Sequence, residues 1–388
     1  MVLPRVRSCM PGEQRDTVAP TIKFSEIADR LPETTRRKDL INVITAESFA
    51  AWYQEKRFRE NILEGRPYFN GSSPPPKATK HSPSKLLQCH RKTRYYGENA
   101  PQEGESPDGI FWIGTKFEEE LVVPYLLEAV TTTNTYVRNS IWIDADIGTD
   151  TGTLRVKGTT DPAIVDADGN PILITEIKTT SSLEYLDGPK SHHKAQLHAY
   201  MYALDKEYDR SITDGVLLYG SRETFDIEAF HVPFDDEFWK TIVDWMETQT
   251  GYRENQELPP AKPVFDWECE SCPFKQRCGE GKSHYSDVAF TGLLPGVKAY
   301  QKSQLVEYFD AYPDARLTPT LAVEYPELVD EHGVYNWQCG ACSATFVWDD
   351  VWEKDQESMP PVCPQCADEG SLRYLSVPEP AAQVRSAD

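Results

Sequence analysis

The sequence predicts an α/β fold, a mixed sheet flanked by helices, followed by a small four-cysteine ribbon. Three observations carry this. Two β-rich runs surround the turn signal Asp168-Gly169, helical segments lie on both sides of them, and a Cys-x2-Cys pair recurs near the C-terminal end. At 388 residues the chain is long enough for two or three domains and a substantial core.

Residues 1–81 read as an N-terminal extension with one credible helix, Ala46 to Leu63, ending in the Pro/Ser-rich run Gly71 to Pro76. The main domain is expected over 82–280. Within it, residues 97–109, rich in Gly, Pro and Glu, read as an exposed loop, and Gly114 to about Val130 as a helix. At roughly 100° per position, Phe117, Leu121, Val122, Tyr125 and Ala129 form an apolar stripe. Glu118 falls inside that stripe, whereas Glu119 and Glu120 point away. An acid facing a core is costly unless it is paired or bound to a metal. Two readings of Glu118 are therefore open, a metal ligand and a salt bridge at the core edge.

The runs Leu154 to Val165 and Pro171 to Thr179 should pair as a hairpin around Asp168-Gly169. Cross-strand partners then have numbers summing to 337, which sets Asp161 opposite Glu176 with Cβ atoms roughly 5 Å apart. Lys178 shares the face of Glu176 by the period of two. Opposed carboxylates repel unless a cation lies between them, and oxygen ligands of this kind suit Mg²⁺ or Mn²⁺. The alternative is an exposed hairpin carrying ordinary charges. Helix Ser191 to Leu204 follows, with Gln196 and Tyr200 one turn apart on one face. Strand Gly215 to Tyr219, strand Phe225 to Val232 and helix Asp235 to Thr250 complete the core.

Eight of nine cysteines fall into two sets of four. Cys339-x2-Cys342-x20-Cys363-x2-Cys366 has the spacing of a four-thiolate zinc ribbon, expected over 333–376, and four protein thiolates leave no open position, so the site should be structural. A redox role has no thioredoxin-like surrounding pattern to support it. The other set joins Cys89 to Cys269-x2-Cys272-x5-Cys278. Soft thiolates suit iron-sulfur or zinc, and spacing does not choose between them. Cys9 is left as a free thiol. Residues 281–332 read as a tether and 377–388 as a disordered tail. With no secretory signal and no apolar run of membrane-spanning length, a reducing cytoplasm is expected, and no membrane partner.

The order of a helix with an inward ligand, Gly158-x-x-Asp161, Glu176-x-Lys178 and Gln196-x-x-x-Tyr200 resembles the RecB-like branch of the PD-(D/E)XK nucleases, over roughly residues 82–280. That branch often carries His where this chain has Glu118. One cysteine before the core and three after it is similar to the iron-sulfur nucleases of that branch, among them CRISPR-associated exonucleases of spacer acquisition and AddB-type repair nucleases. The resemblance implies a 4Fe-4S cluster on Cys89, Cys269, Cys272 and Cys278, and Mg²⁺ or Mn²⁺ on Glu118, Asp161, Glu176 and the Ile177 carbonyl. It further implies phosphodiester hydrolysis with Asp161, Glu176, Lys178, Gln196 and Tyr200 as catalytic residues. DNA, single-stranded or with free ends, is the implied substrate, with a CRISPR integrase or a repair protein as partner. An inactive iron-sulfur and zinc scaffold that binds nucleic acid is the contrasting reading.

A net charge of -22 opposes phosphate binding unless basic groups cluster. They do around Cys89, where Arg91, Lys92 and Arg94 with Tyr95 and Tyr96 could track a single strand; the tyrosines are equally readable as core. Acidic surfaces also suit salt-loving cells, where charges are screened over roughly 3 Å at molar salt.

Overall fold

The computed structural model describes residues 33–63, 65, 74–104, 108–281, 289–294, 300–351 and 360–383. Cys9 and part of the Pro/Ser run lie outside them. Two units follow, 1–70 and 71–388, each taken by itself. The first holds helices Glu33–Val43 and Ala46–Leu63. Thr45 and Ser48 cap the second reciprocally, each backbone N–H donating to the other's hydroxyl at 3.2 Å.

In the second unit a five-stranded sheet runs β2 (Thr135–Arg138), β5 (Ala163–Asp166), β6 (Pro171–Thr180), β7 (Asp214–Ser221), β8 (Ile227–Pro233) in spatial order. The β6–β7 pair is parallel and the others antiparallel, so the sheet is mixed as expected. Helix Ser191–Tyr208 makes the crossover from β6 to β7. It packs closely, for a Cβ on Gly215 would meet the Leu197 side chain at 2.7 Å. A second sheet runs β1 (Lys80–His81), β4 (Gly152–Thr159), β3 (Trp142–Thr149), and helix Asp236–Glu254 adds Trp239, Ile242, Trp245 and Met246 to the same core.

The expected strand Leu154 to Val165 is two strands in two sheets. Pro162 has no N–H to donate, and Thr160 is bound elsewhere: its Oγ1 accepts from Ile141 N–H at 2.9 Å and donates to the Asp161 carbonyl at 2.7 Å. The chain therefore turns at Asp161 from β4 into β5. The 337 register holds at Ala163 with Ile174 and Ile164 with Leu173, then shifts by one at Val165 with Pro171. Asp161 is thus at a kink beside β6 rather than in a ladder opposite Glu176.

The Glu118 helix begins at Asp108–Phe117 and contains two π-helical turns, Glu118–Val122 and Leu126–Val130. A π turn closes five residues back instead of four and rotates everything beyond it. The buried stripe is consequently Phe117, Val122 and Leu126 against Ile177 and Leu218, with Leu121 and Tyr125 exposed, which corrects the α-periodic stripe. The ring of Phe117 lies directly over Gly220, where any Cβ would collide with it.

Three other expectations are corrected. Residues 97–104 are not a plain exposed loop: Ala100 is buried and the Glu103 carboxylate accepts from the N–H groups of Gln276 and Arg277, both at 2.7 Å. The supposed tether has its own core of Leu293, Tyr300, Leu305, Tyr308, Phe309, Leu317 and Leu321, with helices Lys302–Ala311 and Pro319–Glu324. The tail is ordered through Gln383, whose side chain bonds both the N–H and the carbonyl of Leu293 at 2.7 and 2.6 Å. The ribbon pairs β9 (Trp337–Gln338) with β10 (Thr345–Phe346).

Candidate active site and cysteine centres

Glu176 and Lys178 project from one face of β6, and Glu176 is completely buried. Its carboxylate is ion-paired with Lys178, and Oε2 accepts no hydrogen bond. Asp161 reaches the same strand through its kink, its Oδ2 accepting from Ile177 N–H at 2.7 Å. Glu118, half-buried, faces this group from the π turn. On the crossover helix Gln196 Nε2 donates to Tyr200 Oη at 2.7 Å, and both side chains are buried.

The charges interact strongly. Burial and then the nearby Asp161 charge push Glu176 up to about 8, and the same two causes push Glu118 up to about 7. Burial also raises Asp161, against the pull of Lys178. Burial would lower Lys178, yet the charges of Glu176 and Asp161 outweigh it and hold its pKa above the ordinary value. The Tyr200 phenol is raised far, first by burial and then by Glu176, Asp161 and Glu118. Three carboxylates against one ammonium leave an excess of negative charge when all are ionised. A buried carboxylate oxygen without a donor is costly, and hard oxygen donors are the kind that Mg²⁺ or Mn²⁺ takes, although these three carboxylates do not come within 4.8 Å of one another as the ribbon thiols do.

Cys89, Cys269, Cys272 and Cys278 come together to line one cleft although about 180 residues separate the first from the second. Glu268, buried, fastens this cleft by accepting from the N–H groups of Cys89 and Val264 at 2.9 Å and of Phe265 at 3.2 Å. Burial pushes the Cys272 thiol up to about 11 and raises the other three, so a cationic centre is needed to hold them as thiolates.

In the ribbon the thiols are tighter. Cys339 and Cys366 sulfurs are 3.7 Å apart, as are those of Cys342 and Cys363, and all four lie within 4.8 Å. A tetrahedron with metal–sulfur bonds of about 2.3 Å has edges of about 3.8 Å, so a zinc-sized ion fits.

The basic segment is placed differently. Arg94 is buried, paired with Glu98 at 2.9 Å, bonded to Gln256 at 3.0 Å and set over Phe290 at 4.1 Å. Arg91 donates to the carbonyls of Pro259 and Cys278, and Lys92 lines the cysteine cleft. Tyr95 and Tyr96 pack on Phe274, so the core reading of these rings holds. Arg94→Ala should lower stability by about 3 kcal/mol, because it strands Glu98, while leaving DNA affinity nearly unchanged. Urea unfolding beside a DNA-binding titration checks both, and a large affinity loss at wild-type stability would contradict this.

Sequence reasoning missed Tyr219, His193 and Glu268. Tyr219 is the parallel register partner of Lys178, and its Oη meets His193 Nδ1 at 2.8 Å and accepts from Lys190 N–H at 3.0 Å. Parallel register leaves no trace in local sequence.

The PD-(D/E)XK nuclease superfamily model matches residues 76–279. Solved structures similar to this chain include the crystal structure of SSO0001, 20% identical with a TM-score of 0.40, covering 61% of this chain and 97% of that one. An alkaline exonuclease, LHK-Exo from Laribacter hongkongensis, is 14% identical with a TM-score of 0.31, covering 46% and 93%. LHK-Exo in complex with dAMP is 15% identical with a TM-score of 0.30, covering 45% and 91%. No curated protein sequence matches the chain. Because the family match spans more than half of its residues, the chain belongs to the PD-(D/E)XK nuclease superfamily.

Proposed function

We propose that the chain is a metal-dependent DNA nuclease of the RecB-like branch, acting exonucleolytically on single-stranded ends. One observation carries this: a fully buried Glu176 with an oxygen that accepts no hydrogen bond, set among Asp161, Glu118 and Lys178. In a structural protein such a set is a liability, whereas metal chemistry requires it. Glu118, Asp161, Glu176 and the Ile177 carbonyl would hold Mg²⁺ or Mn²⁺. When bound, that ion activates water and neutralises phosphoryl charge. Lys178, kept protonated by its carboxylate neighbours, serves as a fixed cation toward the scissile phosphate rather than as the base. Gln196 and Tyr200 hold each other and close the site on its helical side. Cleavage of end-labelled DNA that depends on added Mn²⁺ tests the reading; binding without cleavage opposes it.

For the cysteine cleft we favour a 4Fe-4S cluster on Cys89, Cys269, Cys272 and Cys278. The four thiols line one cleft yet stand further apart than those of a single-ion site, for only the ribbon set, among the described residues, has ligand atoms within 4.8 Å of one another. The ribbon set, Cys339, Cys342, Cys363 and Cys366, takes Zn²⁺. Cys363→Ser is expected to release one zinc per chain and melt the ribbon, with iron content unchanged; elemental analysis and proteolysis of the C-terminal module check this, and unchanged zinc would contradict it. The domain reading becomes an N-terminal helical extension, the nuclease domain, a helical module and the ribbon. No described helix is long and apolar enough to cross a membrane, and we place the protein in the cytoplasm. Its partner in this reading is a spacer-acquisition integrase or a repair protein, and its acidic surface fits a high-salt cell.

A further inference from the structure

Two aromatic rings just before Cys269 have no part in the site described above. Phe265 and Trp267 are stacked, with centroids 5.8 Å apart and planes 9° from parallel, and Trp267 is 43% exposed. His192 lies against both rings at 6.0 and 5.2 Å and against His193 at 4.0 Å. His193 meets Tyr219 Oη, and Tyr219 is the strand partner of Lys178. A file of rings therefore leads from Lys178 to an exposed indole, with the exposed Lys190 set over that indole at 5.5 Å.

Each part of this arrangement suits a nucleotide better than a core. An exposed indole forgoes the burial that a core would give it, and its stacked support fixes the plane of its free surface. Burial first, then neighbouring lysines including Lys178, push His192 down to about 4, so the file between lysine and indole is uncharged near neutral pH. His192 Nδ1 is buried and bonded to nothing among the described residues. On a chain of net charge -22, Lys190 supplies an exposed cation at the indole end, while Lys178, paired with Glu176, marks the catalytic end.

We propose that Trp267, backed by Phe265, stacks a base of single-stranded DNA while Lys190 contacts the adjoining phosphate, which leads the strand along His192 and His193 to Lys178. This rests on the nuclease reading and gives its preference for single strands a structural cause, since a duplex offers no unstacked base to the indole.

The test uses full-length protein with both cysteine centres filled and a fluorescein-labelled dT oligonucleotide. Affinity is read by anisotropy in a Glu176→Gln background, so that the strand is not consumed. Trp267→Ala and Lys190→Ala are each expected to weaken oligonucleotide binding by at least about fivefold, and Trp267→Phe by no more than about twofold, with blunt-duplex affinity unchanged. In the otherwise wild-type enzyme the same two alanine variants should raise KM with kcat nearly retained. Iron and zinc contents are measured alongside. Should Trp267→Ala lose metal, Lys190→Ala decides, because Lys190 lies on a separate segment. Wild-type affinity in these variants, from an enzyme that cleaves, overturns the platform. A wild-type enzyme that does not cleave overturns the nuclease reading instead, and the platform with it.

Discussion

Lys178→Ala is expected to lower the single-turnover rate of DNA cleavage by about 10²–10³, as loss of one preorganised cationic donor does in other hydrolytic sites. The effect is large because Lys178 is, among the described residues, the cation paired with the buried Glu176. The fold should survive the substitution. Without its partner Glu176 moves further in the direction it already takes and gains a proton rather than standing as an unpaired charge in the core. Rapid-quench cleavage together with a melting curve reads both parts, and wild-type rates in the variant would remove Lys178 from the chemistry.

Glu176→Gln should abolish cleavage and metal binding yet make the metal-free protein more stable at alkaline pH. The folded pKa of Glu176 lies at about 8, above the ordinary 4.5, because burial and the charge of Asp161 disfavour its ionised form. Stability from this group is fully present below about pH 4.5 and is lost as pH rises through 8. Wild-type, metal-free protein should therefore melt at a lower temperature at pH 9 than at pH 6, and glutamine should remove much of that slope. Added Mn²⁺ should restore wild type alone, and its affinity should climb over the same interval as protons leave Glu118 and Glu176. Melting curves at several pH values, with and without Mn²⁺, check this. A pH-independent difference between the proteins would contradict it.

Much of this arrangement is legible in the sequence because its determinants are local. The period of two sets Glu176 and Lys178 on one face, the i, i+4 spacing sets Gln196 beside Tyr200, and the Cys-x2-Cys pairs announce the ribbon. Where the reading departs from the structure, a non-local or atypical backbone feature is responsible. Pro162 ends a ladder that the β-rich run implied would continue. Two π turns rotate the Glu118 helix, and a fixed 100° template has no means of registering them. Glu118 nevertheless stays inward because the first π turn begins at that residue. Arg94 illustrates a different limit. A basic cluster in sequence is read as surface, but Glu98 lies one turn away and Gln256 and Phe290 are brought in from far along the chain. The ring file from Tyr219 to Trp267 joins three segments and exists only after folding.

The most direct measurement is degradation of an end-labelled single strand by anaerobically purified protein at high salt, with and without Mn²⁺, comparing wild type with Glu176→Gln. The account predicts metal-dependent loss of the label by wild type and none by the variant. A wild-type protein that binds the strand with Mn²⁺ present and leaves it intact would contradict it and point to a nucleic-acid-binding scaffold.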